Sequence, residues 1–195
     1  MGGLLHDREI IYKMNPRAPS DQAKPSEFAT MQNGPGFFLC SRPESNEHTV
    51  PLALLDPVFG EFVDDCRSIM LTSNDMVTAR NLKTHMSEFY PRTEHRRYTF
   101  SMILENYGIP VHRRYIGDTE YRTDGYNEDF GHPSLISKVE SEISSSPGGE
   151  PSLQALLYYH CFVREYALWK DVSTCHPCFI IFVAGESFLT RVIVI

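Results

Sequence analysis

Apolar positions along this chain fall into stretches with distinct rhythms, and each rhythm predicts a different element. Residues 1 to about 48 have no sustained rhythm: Pro, Ser, Gly, Asn and charged residues alternate irregularly, as in "NPRAPSDQAKPSEF". Such a stretch predicts a disordered tail over 1–48, with one ordered domain over 49–195. Helical spacing begins in "VPLALLDPVFGEFVDDCRSIM", where Val58, Phe59, Phe62, Val63 and Cys66 recur one turn apart. Asp56 stands where a cap belongs and Pro57 where a helix tolerates proline best. A second helix is predicted over "NDMVTARNLKTHMSEFY", stopped by Pro91. A third is predicted over "TEHRRYTFSMILENYG", with Thr93 as its cap and Gly108 as its stop.

After Gly108 the rhythm changes. "IPVHRRYIG", "EYRTDG" and "SLISKVESEI" are short runs closed by turn residues, and they predict three strands. "EPSLQALLYYHCFVREYALW" predicts a long helix with Leu153, Leu156, Leu157 and Val163 on one stripe. "PCFIIFVAG" is continuously apolar between Pro177 and Gly185, the pattern of a buried central strand. "FLTRVIVI" predicts a further strand, and an apolar strand at the end of the chain suggests a piece of a longer architecture, truncated at its C-terminus. Helices, strands, a helix and strands in that order predict an α/β or α+β domain, a mixed sheet flanked by helices.

Composition narrows the partners. The chain has 195 residues, 42% of them hydrophobic, enough for one core. Its net charge of −7 repels phosphate backbones, so contact with nucleic acid requires a local basic patch or a bound cation. No apolar run reaches the roughly 20 residues that cross a bilayer, so no membrane association is expected. Five cysteines without a secretory signal predict reduced thiols and a cytoplasmic or nuclear location.

The candidate chemistry lies between Asp124 and Tyr158. Strand residues two apart share a face about 6.6 Å from one another, so Lys138, Glu140 and Glu142 point the same way. Asp124 closes the preceding predicted strand and can lie beside Glu140. Paired carboxylates on adjacent strands suit Mg²⁺, with Asp124, Glu140 and Glu142 as candidate ligands and an amine alongside to orient hydroxide. Gln154 and Tyr158, one helical turn apart, can orient those acids or a phosphate. The plainer reading of "KVESE" is an edge strand showing charges to water.

These residues resemble the PD-(D/E)xK nuclease fold in its RecB-like branch, whose pattern is a strand-closing Asp, an acidic-x-Lys strand and a Q-x-x-x-Y helix. From about Val50 to Gly185 the chain is similar to a domain of fungal proteins often placed ahead of a kinase-like domain, Crinkler-type effectors among them. That group reads T-D-G, E-V-K-N-E, a Gly-rich turn, a D/E-P pair, Q-A-x-x-Y-Y and P-C before an apolar strand. "TDG", "EPSLQALLYY" and "PCFIIFVAG" match it. The resemblance implies a restriction-endonuclease-like fold with Asp124, Lys138, Glu140, Gln154 and Tyr158 at its catalytic positions.

The departure is central. Where the family has E-V-K-N-E, this chain has Lys138-Val139-Glu140-Ser141-Glu142, so the amine and the acid have exchanged places. Three functions follow as expectations. The first is a degenerate, non-catalytic interaction or regulatory module with a protein partner such as a kinase-like domain. The second is an active Mg²⁺-dependent DNA nuclease. The third is a small structural zinc protein using Cys175 and Cys178, with His160 and Cys161 as the candidates for the two further ligands. "EHRRY" (94–98) and "VHRRY" (111–115) meet a phosphate only if they fall on the site's side, and Glu88 is expected to be a solvated helix residue.

Overall fold

The structure is a computed structural model, and it describes residues 17–33, 54, 56–117, 119–129, 131–140, 149–169, 178–184 and 187–193. Glu142, Cys175, Pro177 and Gly185 lie outside the described residues.

Local chemistry sets most helix boundaries. Asp56 accepts a hydrogen bond from the Val58 amide at 3.0 Å and starts α3 (Pro57–Ser68), as its position predicts. Thr72 and Asp75 exchange hydrogen bonds in a reciprocal cap at the start of α4 (Ser73–Met86), which ends four residues short of the predicted Tyr90. α5 (Thr93–Tyr107) follows Arg92 without a side-chain cap, so Thr93 is its first helical residue rather than its cap. Gly108 ends α5 with φ of 101°, a left-handed conformation that glycine adopts without strain.

The described sheet has four strands in the order β1 (Gly125–Asp129), β2 (His132–Glu140), β3 (Cys178–Ala184) and β4 (Ser187–Ile193). β1 and β4 run antiparallel to their neighbours, whereas β2 and β3 are parallel. A parallel pair needs a long crossover, and α6 (Pro151–Trp169) lies within it. Alternation along β2 divides the core between two sides. Ile136 joins α6 in one buried cluster, while Leu135 and Val139 join Met86, Phe100 and Leu104 of α4 and α5 in another. The chain is therefore a mixed α/β protein with helices on both sides of a mixed sheet. None of the described helices is long and apolar enough to cross a membrane.

Three expectations need correction. The segment read as a disordered tail holds α1 (Pro19–Gln22) and α2 (Pro25–Gln32). Ala23 is fully buried against the α6 cluster, and its carbonyl accepts from the Glu150 amide at 3.1 Å. Its few apolar residues gain order from the α6 surface, which local periodicity does not register. Gly149 is the fitting piece, because φ is 95° and a Cβ there would sit 2.4 Å from the Ala23 carbonyl carbon.

The second correction concerns the strands expected over 109–117 and 120–125. They form only a loose pair with isolated bridges, His112 to Tyr126 and Tyr115 to Arg122. Between those bridges four steps on one side match three on the other, so the Asp124–Gly125 side carries one extra residue, a bulge. Asp124 precedes β1 instead of closing a strand. Thirdly, β2 is not a water-facing edge: it has a neighbour on each side, and Lys138 and Glu140 are buried.

Candidate functional site

The bulge aims the Asp124 carboxylate away from the ladder and across to the next strand, where Oδ2 accepts from the Val139 amide at 3.0 Å. Gly125 allows this close approach. It faces Ser137 in the β1–β2 register, and a Cβ at 125 would stand 2.2 Å from Ser137 Oγ.

Lys138 and Glu140 leave β2 on the side of Ile136, toward α6. The Lys138 ammonium lies 3.2 Å from Asp124 Oδ2 and 2.9 Å from Glu140 Oε1. All three residues are 7–8% exposed. Burial by itself lowers the Lys138 pKa, but the Asp124 and Glu140 charges prevail and hold it above its ordinary 10.5. The amine is thus a fixed cation between two acids. Arg97 of α5 adds a second cation, with Nη1 3.5 Å from Asp124 Oδ1. Two carboxylates facing two cations make the centre neutral, the condition under which buried charges are tolerated.

From α6, Gln154 Nε2 donates to the Tyr158 hydroxyl at 3.1 Å, while Gln154 Oε1 is buried without a hydrogen-bond partner. Burial raises the Tyr158 pKa. Lys138 opposes that rise, and Asp124 and Glu140 reinforce it, so the phenol lies within electrostatic reach of all three. Asp124, Lys138, Glu140, Gln154 and Tyr158 therefore meet in one place.

The sequence pattern marks the tandem arginines as a basic patch but not as partners of the centre. Beside Arg97, the fully buried Arg96 donates from Nη1 to the Glu140 carbonyl at 3.0 Å and from Nη2 to the Glu88 carbonyl at 2.7 Å. It ties the end of β2 to the α4–α5 connection. The only signal for this was "EHRRY", whose partners stand far away in sequence. The Glu88 carboxylate stays at the surface with His85, 3.1 Å away, so only its backbone touches this network.

Chemically, the centre holds two oxygen-rich side chains of the type that Mg²⁺ prefers. Their inward oxygens are already engaged by an ammonium, and a divalent ion would have to displace it. Among the described residues, no three His, Cys, Asp or Glu side chains stand together as a metal-binding group. The residues as arranged do not fit a resident Mg²⁺. For the zinc expectation, Cys161 and Cys178 sit in the apolar core. Burial pushes the Cys161 thiol up to about 11 and raises that of Cys178 further, disfavouring the thiolate that zinc needs. His160 is pushed down to about 4 by burial first and Arg164 second, so it is neutral at pH 7. No family model, curated protein or solved structure matches this chain.

Proposed function

We propose that this chain is a degenerate restriction-endonuclease-like module of the PD-(D/E)xK type, acting as a non-catalytic interaction or regulatory domain, with a kinase-like domain as the kind of partner it serves. A mixed sheet with helices on both sides supports the fold. The observation that carries the function is the Lys138 ammonium lodged between Asp124 and Glu140. With Lys at the position of the family's acid and Glu at that of its lysine, one side chain supplies internally the positive charge that a metal brings to an active relative.

The test is a restored order. Lys138→Glu combined with Glu140→Lys recreates acid-x-Lys, and Mg²⁺ or Mn²⁺ should then raise the melting temperature by mass action. The parent protein should show no metal-dependent rise and no DNA cleavage. Cleavage by the parent that requires Mg²⁺ and is abolished by Asp124→Ala would overturn the proposal. It would establish the rival reading, an active Mg²⁺-dependent DNA nuclease, which the convergence of all five side chains favours. That reading requires Lys138 to swing aside and release both acids.

A further inference from the structure

The acid–lysine centre is charge-matched, whereas its rim is not. Beyond the bulge the 112–116 and 121–126 segments run antiparallel. Thr123 donates its amide to the Arg114 carbonyl at 2.9 Å, and Tyr115 bridges Arg122. Opposed residues in such a pair share a side, and so do residues two apart along a strand. Arg113, Tyr115 and Arg122 thus face one way, while Arg114 and Thr123 face the other. Arg97 comes within electrostatic reach of Arg113 from α5, where it pairs with Asp124.

This gathers the guanidinium groups of Arg97, Arg113 and Arg122 on a protein whose net charge is −7. They repel one another: Arg113 is held below its ordinary value by partial burial first, then by Arg97 and Arg122, with Asp124 and Glu94 opposing. Of the two carboxylates that oppose this repulsion, Asp124 already serves Lys138, Arg97 and the Val139 amide, which leaves Glu94 alone to face three guanidinium groups. Arg113 makes no hydrogen bond or ion pair among the described residues. Arg122 stacks on Tyr115 at 5.1 Å and leaves its buried Nε–H without an acceptor. Donors without acceptors and mutually repelling cations together describe a receiver for an anion.

We infer that Arg97, Arg113 and Arg122 form a metal-independent site for a phosphate dianion, either free or as the terminal group of a phosphate monoester. Guanidinium forks match phosphate oxygens in pairs, and a double negative charge relieves the repulsion among three neighbouring cations. At physiological salt the screening length is about 8 Å, so these nearby cations outweigh the distant negative surface. The inference goes beyond the degenerate-nuclease reading and does not need it, because no metal takes part.

The experiment uses the full chain in EDTA. Melting temperature and calorimetric binding are measured with inorganic phosphate, with a 5′-mononucleotide and with a short DNA duplex, each against sodium chloride at equal ionic strength. Phosphate, the mononucleotide or both should raise the melting temperature, and which of them does so identifies the source. Binding should strengthen from pH 5.5 to 7.5 as the ligand's second proton, with a pKa of about 6, is lost. Arg113→Gln and Arg122→Gln should each weaken binding about tenfold or more, the loss of one charge-assisted contact. Overturning results are no shift beyond the chloride control, equal binding by both variants, or a response to the duplex alone. Because metal is chelated throughout, these outcomes are separate from any Mg²⁺ response of the centre.

Discussion

The centre and rim of this site use the same kinds of side chain to opposite effect. In the centre, Lys138 and Arg97 face Asp124 and Glu140, and the charges are matched and shielded from water. On the rim, Arg113 and Arg122 stand near one another, Arg113 without an ion pair among the described residues and Arg122 with a buried Nε–H that has no acceptor. A matched buried cluster consolidates the fold because removing any member strands another. An unmatched, open cluster contributes little to the fold and is available to a ligand. Burial together with pairing, more than residue type, separates a structural charge from a binding charge.

Substitutions can break this contrast, and the largest effect should come from the middle of the centre. Lys138→Met leaves two buried carboxylates facing each other and should cost about 3–5 kcal/mol in urea denaturation. Repulsion raises the pKa of such a pair, so the loss should shrink as pH falls. Glu140→Gln keeps the shape and leaves Lys138 with Asp124, so it should cost about 1–3 kcal/mol in the same assay.

Alkaline titration sharpens the comparison further. The folded pKa of Lys138 is raised, so its stabilising contribution is complete below the ordinary value of 10.5 and fades as pH climbs through the folded value. Tyr158, also raised, penalises the folded state once the unfolded phenol ionises above 10.0. Unfolding free energy should therefore fall above about pH 10, and more gently in Lys138→Met with Tyr158→Phe than in the parent. On the acid side, His160 is neutral when folded, so stability should decline between 6.5 and about 4 as the unfolded histidine gains a proton. The smallest effect belongs to the rim: Arg113→Gln should change stability by no more than about 0.5 kcal/mol in phosphate-free buffer. A loss near that of Lys138→Met would erase the distinction between the regions.

The legible parts of the site were those fixed by short-range geometry. Lys138 and Glu140 share a face because strand side chains alternate, and Gln154 and Tyr158 share one because a helix turns in 3.6 residues. The Lys/Glu exchange was likewise visible from the order of two letters. Arg96 and Arg97 were noted only as part of a basic patch, because their partners, Glu140 and Asp124, lie on other elements and nothing in "EHRRY" points to them. Asp124 was expected at the end of a strand and instead precedes one, since a one-residue bulge leaves no mark in hydrophobic periodicity. α1 and α2 were missed for a similar reason: Ala23 is ordered by the surface of α6, more than a hundred residues away.

By itself, the sequence determined which side chains share a face, where α3 begins and α5 stops, and that β3 must be buried. These are consequences of bond geometry and of apolar surface leaving water, and both act over a few residues. The tertiary structure alone decided that β2 is interior, that the Asp124 carboxylate crosses to Val139, and that one ammonium closes two acids while three guanidinium groups gather beside them. Those outcomes depend on pairing between distant segments, where desolvation makes the position of each charge count and where no local pattern records the partner.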